Sequence, residues 1–196
     1  MNPTTRIRSR PGKQALMPVL KYDIFETAYG WIGVAASEIG ITRITLPELT
    51  AADAESELAQ AIHDAQRDSS RFEELRATLD RYFSGEPEDL TQIAIDLNDP
   101  EFFTRARAAC RTIPAGETRT YAWLAEAAGS PNAIRAAGQS MARNPVPLLV
   151  PCHRVVGSNG RLHGFGGGIG LPLKARLLQL EGHLETPEGV QLTLLA

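Results

Sequence analysis

Residues 120–156 read TYAWLAEAAGSPNAIRAAGQSMARNPVPLLVPCHRVV, and the fold turns on how this stretch divides. Leu124, Ala125 and Ala128 share one face of a helix begun at Tyr121, and Gly129 stands where a helix of that length needs a left-handed residue beyond its end. Ser130 suits the cap of a second helix with Pro131 in its first turn, and Asn144-Pro145 stops that helix. Two helices joined by a three-residue turn containing glycine make a helix-turn-helix pattern. The second helix, residues 131–143, is short of bulk: Ala133, Ala136, Ala137, Gly138, Ser140 and Ala142 leave Arg135, Gln139 and Arg143 as its long polar side chains. Small residues permit close approach to a phosphate backbone but supply few readers of base edges, so such a helix would grip DNA with little sequence discrimination. The same composition suits an alanine-rich helix packed against its neighbours, and the pattern alone leaves both readings open.

The stretch ends in Pro151-Cys152-His153-Arg154-Val155-Val156. A cysteine beside a histidine and an arginine, in a segment without acids, has the electropositive setting that lowers a thiol pKa from about 8.5. On a regular strand Cys152 and His153 would point to opposite faces, so direct cooperation requires the chain to turn here or a water to link them. Downstream, a last helix begun at Pro172 carries Leu173, Leu177, Leu178 and Leu180 on an apolar arc, with Glu181 near its middle and Ala175, Arg176 and Gln179 opposite. A carboxylate inside an apolar arc needs a partner, and an imidazole is a suitable one, because the carboxylate fixes its tautomer and favours imidazolium. Alternatively, Glu181 ends the helix facing water. Between these elements Gly164-Phe165-Gly166-Gly167-Gly168 could bring backbone N–H groups close to a planar ligand or form a plain surface loop. It lacks the strand-loop-helix setting and the Lys-Ser/Thr ending of a phosphate-binding loop, which argues against a nucleotide cofactor.

Upstream, Tyr22–Thr27, Trp31–Ala36 and Ile39–Leu46 read as a small antiparallel meander, and Ile93, Ile95 and Leu97 as a further strand. Residues 51–65 and the repeat Phe72, Leu75, Leu79, Tyr82 read as two amphipathic helices. Asn98-Asp99-Pro100 marks a break, after which a helix through Phe103, Ala106 and Cys110 opens a second lobe and buries Cys110 on its apolar stripe. Residues 1–18 read as a loose basic tail. The 196 residues, 43% hydrophobic and 22% charged, exclude a wholly disordered chain, and no apolar run approaches the roughly 20 residues of a membrane span. The net charge of -3 conceals a segregation. Residues 51–101 carry fourteen acids against four arginines, whereas residues 127–180 carry six basic side chains and no acid. The two cysteines show no zinc-ligand spacing and are expected to be reduced, in a cytoplasmic protein.

From about Ile113 to Gly182 the chain resembles the O6-alkylguanine-DNA alkyltransferases. The resemblance is carried by Ile113-Pro114-Ala115-Gly116-Glu117-Thr118, Thr120-Tyr121, Arg135-Ala136-Ala137-Gly138, Arg143-Asn144-Pro145, the Pro-Cys-His-Arg-Val block, the glycine loop and Leu180-Glu181-Gly182. It implies an α/β protein of two lobes: an N-terminal ribonuclease-H-like antiparallel sheet lobe (residues 19–98) and a C-terminal winged-helix-like lobe with the helix-turn-helix (residues 99–196). It implies transfer of a methyl or larger alkyl group from guanine O6, and from O4-alkylthymine, to Cys152, once per molecule and without a cofactor or metal. His153 would be the base acting through water and Glu181 its support. Tyr121 would rotate the lesion's phosphate and donate to the flipped base, Arg135 would fill the gap in the stack, and Asn144 would hinge the recognition helix. The carbonyls of Cys152 and Val155 would accept from the guanine amino group, Gly166 N–H would face O6, and Phe165 stands where tyrosine is frequent. Thr120, Tyr121, Ala122, Ser130, Arg135 and Ser158 would contact double-stranded DNA through the minor groove. The protein would be a monomer with no membrane partner, held near the chromosome by DNA binding. Arg107 and Cys110 depart from the tryptophan and leucine common in the family, and residues 169–173 are about two residues longer. The rival readings are a non-catalytic damage-binding or regulatory helix-turn-helix protein and a Cys-His hydrolase; repeated ester turnover would mark the latter.

Overall fold

The computed structural model describes residues 20–162 and 170–183; the basic tail and the segment containing Gly164, Phe165, Gly166, Gly167 and Gly168 lie outside them. The chain forms two lobes of mixed α/β structure, the first around a four-stranded sheet in the order β3-β2-β1-β4. Strands β1 (Lys21–Thr27) and β2 (Gly30–Ala36) pair antiparallel from Lys21 opposite Ala36 to Thr27 opposite Gly30. Gly30 is required at this turn: its φ is +124°, and a Cβ there would lie 2.5 Å from the Glu48 carbonyl oxygen. Strand β3 (Ile41–Ile44) continues the meander with an irregularity at Ala35/Ala36, and the two-residue β4 (Gln66–Arg67) adds to β1 in parallel. The sheet is therefore not wholly antiparallel.

Two further expectations in this lobe are corrected. Ile93, Ile95 and Leu97 do not form a strand; Ile95 makes a single bridge to Ile41, and all three side chains pack against the core. Their alternation records one-sided burial without a ladder. Helix α1 (Ala51–Leu58) is capped by Thr50, whose hydroxyl accepts from Asp53 N–H, and it tightens into a 3-10 turn at Ala59–Ala61 instead of running to residue 65. Helix α2 (Glu73–Phe83) buries Leu75, Leu79, Tyr82 and Phe83 against the sheet lobe's core.

The second lobe opens with α3 (Glu101–Arg111), which buries Ala106 and Cys110 as its apolar stripe demands. A short parallel pair, β5 (Arg119–Thr120) with β6 (Val155–Val156), brackets the helix-turn-helix of α4 (Tyr121–Ala127) and α5 (Ile134–Ala142). Gly129, at φ +76°, closes α4 with the two bonds of a Schellman cap, from Gly129 N–H to Glu126 and from Ser130 N–H to Ala125. Ser130 does not cap α5. Ala133 N–H instead donates to the Ser130 carbonyl at 2.8 Å, so Ser130–Ala133 form a separate turn and the recognition helix begins at Ile134. Helix α6 (Leu171–Leu180) completes the lobe and buries Leu173, Leu177 and Leu178 together with Lys174 and Ala175; of the face expected to be polar, Ala175 is buried, Arg176 half-buried and Gln179 exposed. Among the described residues no helix is long and apolar enough to cross a membrane.

Candidate active site

The route from the recognition helix to the cysteine is short and heavily bonded. Asn144 follows α5 and holds both ends of the next loop: its Nδ2 donates to the Val150 carbonyl at 2.8 Å, and its Oδ1 accepts from Val146 N–H at 3.1 Å. Within that loop Val150 N–H donates to the Val146 carbonyl, and Leu148 takes a φ of +71°, a costly conformation for a branched residue that burial of its side chain secures. Nothing in the sequence signals this. Cys152–Arg154 then make a 3-10 turn. The chain thus turns at the cysteine, the condition under which neighbouring Cys152 and His153 serve one site.

Glu181 is the C-cap of α6, and its side chain is only 2% exposed. His153 Nε2 lies 2.9 Å from its Oε1. Arg154 grips the same carboxylate with both arms, Nη2 to Oε1 at 2.8 Å and Nε to Oε2 at 2.9 Å, while its Nη1 donates to the Ile113 carbonyl. Burial alone would push the Glu181 carboxyl up, but the hydrogen bonds and charges of His153 and Arg154 outweigh it and hold the group well below the usual carboxylate range. An ionised Glu181 only accepts, so Nε2 carries the imidazole proton and Nδ1 the lone pair. That Nδ1 is buried with no hydrogen-bond partner among the described residues. Burial lowers the His153 pKa despite Glu181's pull, which leaves a neutral base.

The cysteine corrects the electrostatic expectation. Burial pushes the Cys152 thiol up, and Asn144, Lys174 and Arg107 offset this only in part. The basic segment surrounds a sulfur that has almost no water, and lost solvation outweighs the neighbouring charge. Lys174 is fully buried, donates to the Val155 carbonyl at 2.7 Å, and is itself pulled down to about 8 by burial. Cys152 reaches a cleft of about 360 Å³ between the lobes, lined also by Tyr121, Met141, Asn144, Pro147 and, from the first lobe, Arg43.

Tyr121 begins α4, half-buried, where Thr120 accepts from Trp123 N–H as the helix cap. Ala122 and Arg135 are exposed on the helix-turn-helix, Ser130 is half-buried in its connecting turn, and Ser158 is exposed in the turn after β6. The structure brings Cys152, His153, Glu181, Tyr121, Asn144 and Val155 together; Gly166 and Phe165 lie outside the described residues. Sequence reasoning missed Arg154 and Tyr82 as partners of Glu181. A tyrosine on the buried stripe of α2 was the available signal, since a buried phenol needs a hydrogen-bond partner.

Fold and site define a two-lobed α/β protein in which a helix-turn-helix leads directly into a cysteine–histidine–carboxylate centre. Residues 20–97 match the 6-O-methylguanine DNA methyltransferase ribonuclease-like domain, and residues 101–183 match the 6-O-methylguanine DNA methyltransferase DNA binding domain. The chain belongs to this methyltransferase family. It is 35% identical over 160 residues to the constitutive methylated-DNA–protein-cysteine methyltransferase of Bacillus subtilis, covering 82% of this chain and 94% of that protein. The Mycobacterium leprae methylated-DNA–protein-cysteine methyltransferase is 47% identical over 118 residues, 59% of this chain and 68% of that protein. The crystal structure of Mycobacterium tuberculosis OGT in complex with DNA superposes with a TM-score of 0.69 at 33% identity, covering 83% of this chain and 93% of that one.

Proposed function

We propose that this protein repairs alkylated DNA by moving a methyl or other alkyl group from guanine O6, and from O4-alkylthymine, onto Cys152, once per molecule. The observation that carries this reading is a histidine Nδ1 without a hydrogen-bond partner among the described residues, its other nitrogen held by an ionised Glu181, next in sequence to a cysteine that reaches a cleft at the foot of a helix-turn-helix. The neutral imidazole takes the thiol proton, through a water, as sulfur attacks the alkyl carbon. The S–C bond forms as the C–O bond breaks, the electron pair stays on guanine, and the proton finally replaces the alkyl group on the base. The step balances without a cofactor. The product is a thioether, which a second thiol does not exchange as it would a disulfide, and Cys110 is in any case enclosed in the core.

Inside a duplex the alkyl carbon is out of reach, so the nucleotide is extruded, at a cost of a few kcal/mol that is least for a poorly paired base. In this reading Arg135, exposed on α5, fills the gap from the minor groove. Tyr121 turns the phosphate and donates to the base. Thr120, Ala122, Ser130 and Ser158 meet the backbone of double-stranded DNA. Asn144 fixes the register between helix and cysteine, and the carbonyls of Cys152 and Val155, the Gly166 N–H and the Phe165 ring receive the guanine. The first lobe, to residue 98, supports, and residues 99–196 carry the chemistry. A chromosomal substrate and reduced thiols accord with a cytoplasmic monomer.

Incubation with a duplex containing O6-methylguanine, followed by intact-mass and peptide mass spectrometry, tests the proposal. One methyl group on Cys152 and none in Cys152→Ala is expected. Tight lesion binding by the unchanged chain with no covalent product would instead mean a damage-binding protein.

A further inference from the structure

We infer that Tyr82, from the first lobe, is a positioning residue of the alkyl-transfer centre: its hydroxyl holds the Glu181 oxygen that supports His153. This inference rests on the function proposed above. Tyr82 Oη donates to Glu181 Oε1 at 2.7 Å, the same oxygen that meets His153 Nε2 and Arg154 Nη2. The two residues are 99 positions apart and belong to different lobes.

Tyr82 is 4% exposed and its ring is locked by a run of contacts between the lobes. It meets Phe83 edge-on at 5.3 Å, Phe83 stacks on Tyr29 at 4.5 Å, and Arg176 of α6 lies 3.8 Å over the Tyr29 ring. The first lobe thus holds α6 at two points, through the Arg176 guanidinium and through Glu181, which follows the helix.

The hydroxyl has a distinct chemical effect. Arg154 alone could draw the carboxylate into a two-armed pair turned away from the imidazole. A third donor on Oε1 keeps that oxygen facing His153, and by sharing its lone pairs makes it a weaker acceptor, which restrains the basicity of the imidazole. The charged and titratable groups around the histidine and carboxylate are Arg154, Lys174 and Cys152 from the second lobe and Tyr82 and Tyr29 from the first. Asp89 and Arg111 line the groove beyond. Burial and the Glu181 charge push the Tyr82 phenol up, so it stays a donor throughout the working range.

Tyr82→Phe removes the hydroxyl and keeps the ring stack. Single-turnover methyl transfer from an O6-methylguanine duplex should slow about tenfold, with duplex affinity unchanged. The acid limb of the rate, and the His153 titration followed by NMR in the DNA-free protein, should move up by roughly half to one pH unit. Site-specific trifluorotyrosine at position 82, an isosteric stronger donor, should move both the other way. Rates and titrations equal to the unmodified protein's in both variants overturn the inference. Absence of methyl transfer by the unmodified protein overturns the proposed function instead, while the NMR titration still decides whether Tyr82 controls His153.

Discussion

Arg107 of α3 donates to the Arg143 carbonyl at 2.8 Å, tying the end of the recognition helix to a residue that is itself only 2% exposed. The same guanidinium reaches the Ser140 carbonyl, pairs with Asp99 in the connection between the lobes, and lies over the Phe103 ring. A cation at a helix C-terminus meets unpaired carbonyls and the negative end of the dipole. Arg107 is thus a polar fastener for Arg143, the residue that precedes Asn144.

Arg107→Ala is expected to destabilise the protein by about 3 kcal/mol, because breaking a buried pair leaves carbonyls and Asp99 uncompensated. Arg107→Trp refills the volume but leaves the same carbonyls and Asp99 without a partner, so it should still cost most of that loss, since removing one member of a buried pair is destabilising. Denaturant unfolding of both variants checks the order. A near-neutral Arg107→Trp would mean that packing volume, and not the fastening of α5, is what Arg107 contributes.

The sequence made the second lobe legible because its determinants are local. Gly129 is a C′ residue by virtue of its backbone, and Asn144-Pro145 stops a helix wherever it occurs. Glu181 falls on the buried arc because a period of 3.6 residues carries it there. The lobe-to-lobe contacts were illegible, since the pairing of Tyr82 with Glu181 depends on how α2 meets α6 and leaves no periodic trace. The state of the thiol is illegible for a related reason. Neighbouring charge is visible in a string of residues, whereas the degree of burial that outweighs it is a property of the packed structure.

The opposed shifts of Cys152 and His153 predict a neutral thiol–imidazole pair over a wide pH range. Methyl transfer should be nearly flat across neutrality, with its acid limb below 6.5, the ordinary histidine value. Iodoacetamide, which needs preformed thiolate, should label Cys152 slowly at pH 7 and rapidly only above the ordinary thiol range. Since the folded state lowers the His153 pKa, the unfolded chain binds the extra proton. The histidine's contribution to stability is therefore complete above 6.5 and is lost as pH falls from there through the folded value. An acid limb above 6.5 in the single-turnover rate would contradict this assignment.

Lys174 offers a test on the alkaline side. Burial pulls it down to about 8, and its charge opposes the rise in the Cys152 pKa. Lys174→Met keeps the length of the side chain but removes that charge and the donor to the Val155 carbonyl. Transfer should slow about tenfold at pH 7, as the thiolate loses a stabilising neighbouring charge. The stability profile separates this role from simple packing. In the unmodified protein the folded state releases the Lys174 proton near pH 8, whereas the unfolded chain keeps it to about 10.5, so the unfolded state binds more protons in that window and this residue makes stability rise with pH across it. The methionine variant should lack that rise. If chemical unfolding at pH 8 and pH 10 gives the same pH-dependent change in both proteins, the buried amine is not titrating as its surroundings require, and its electrostatic support of the sulfur falls with it.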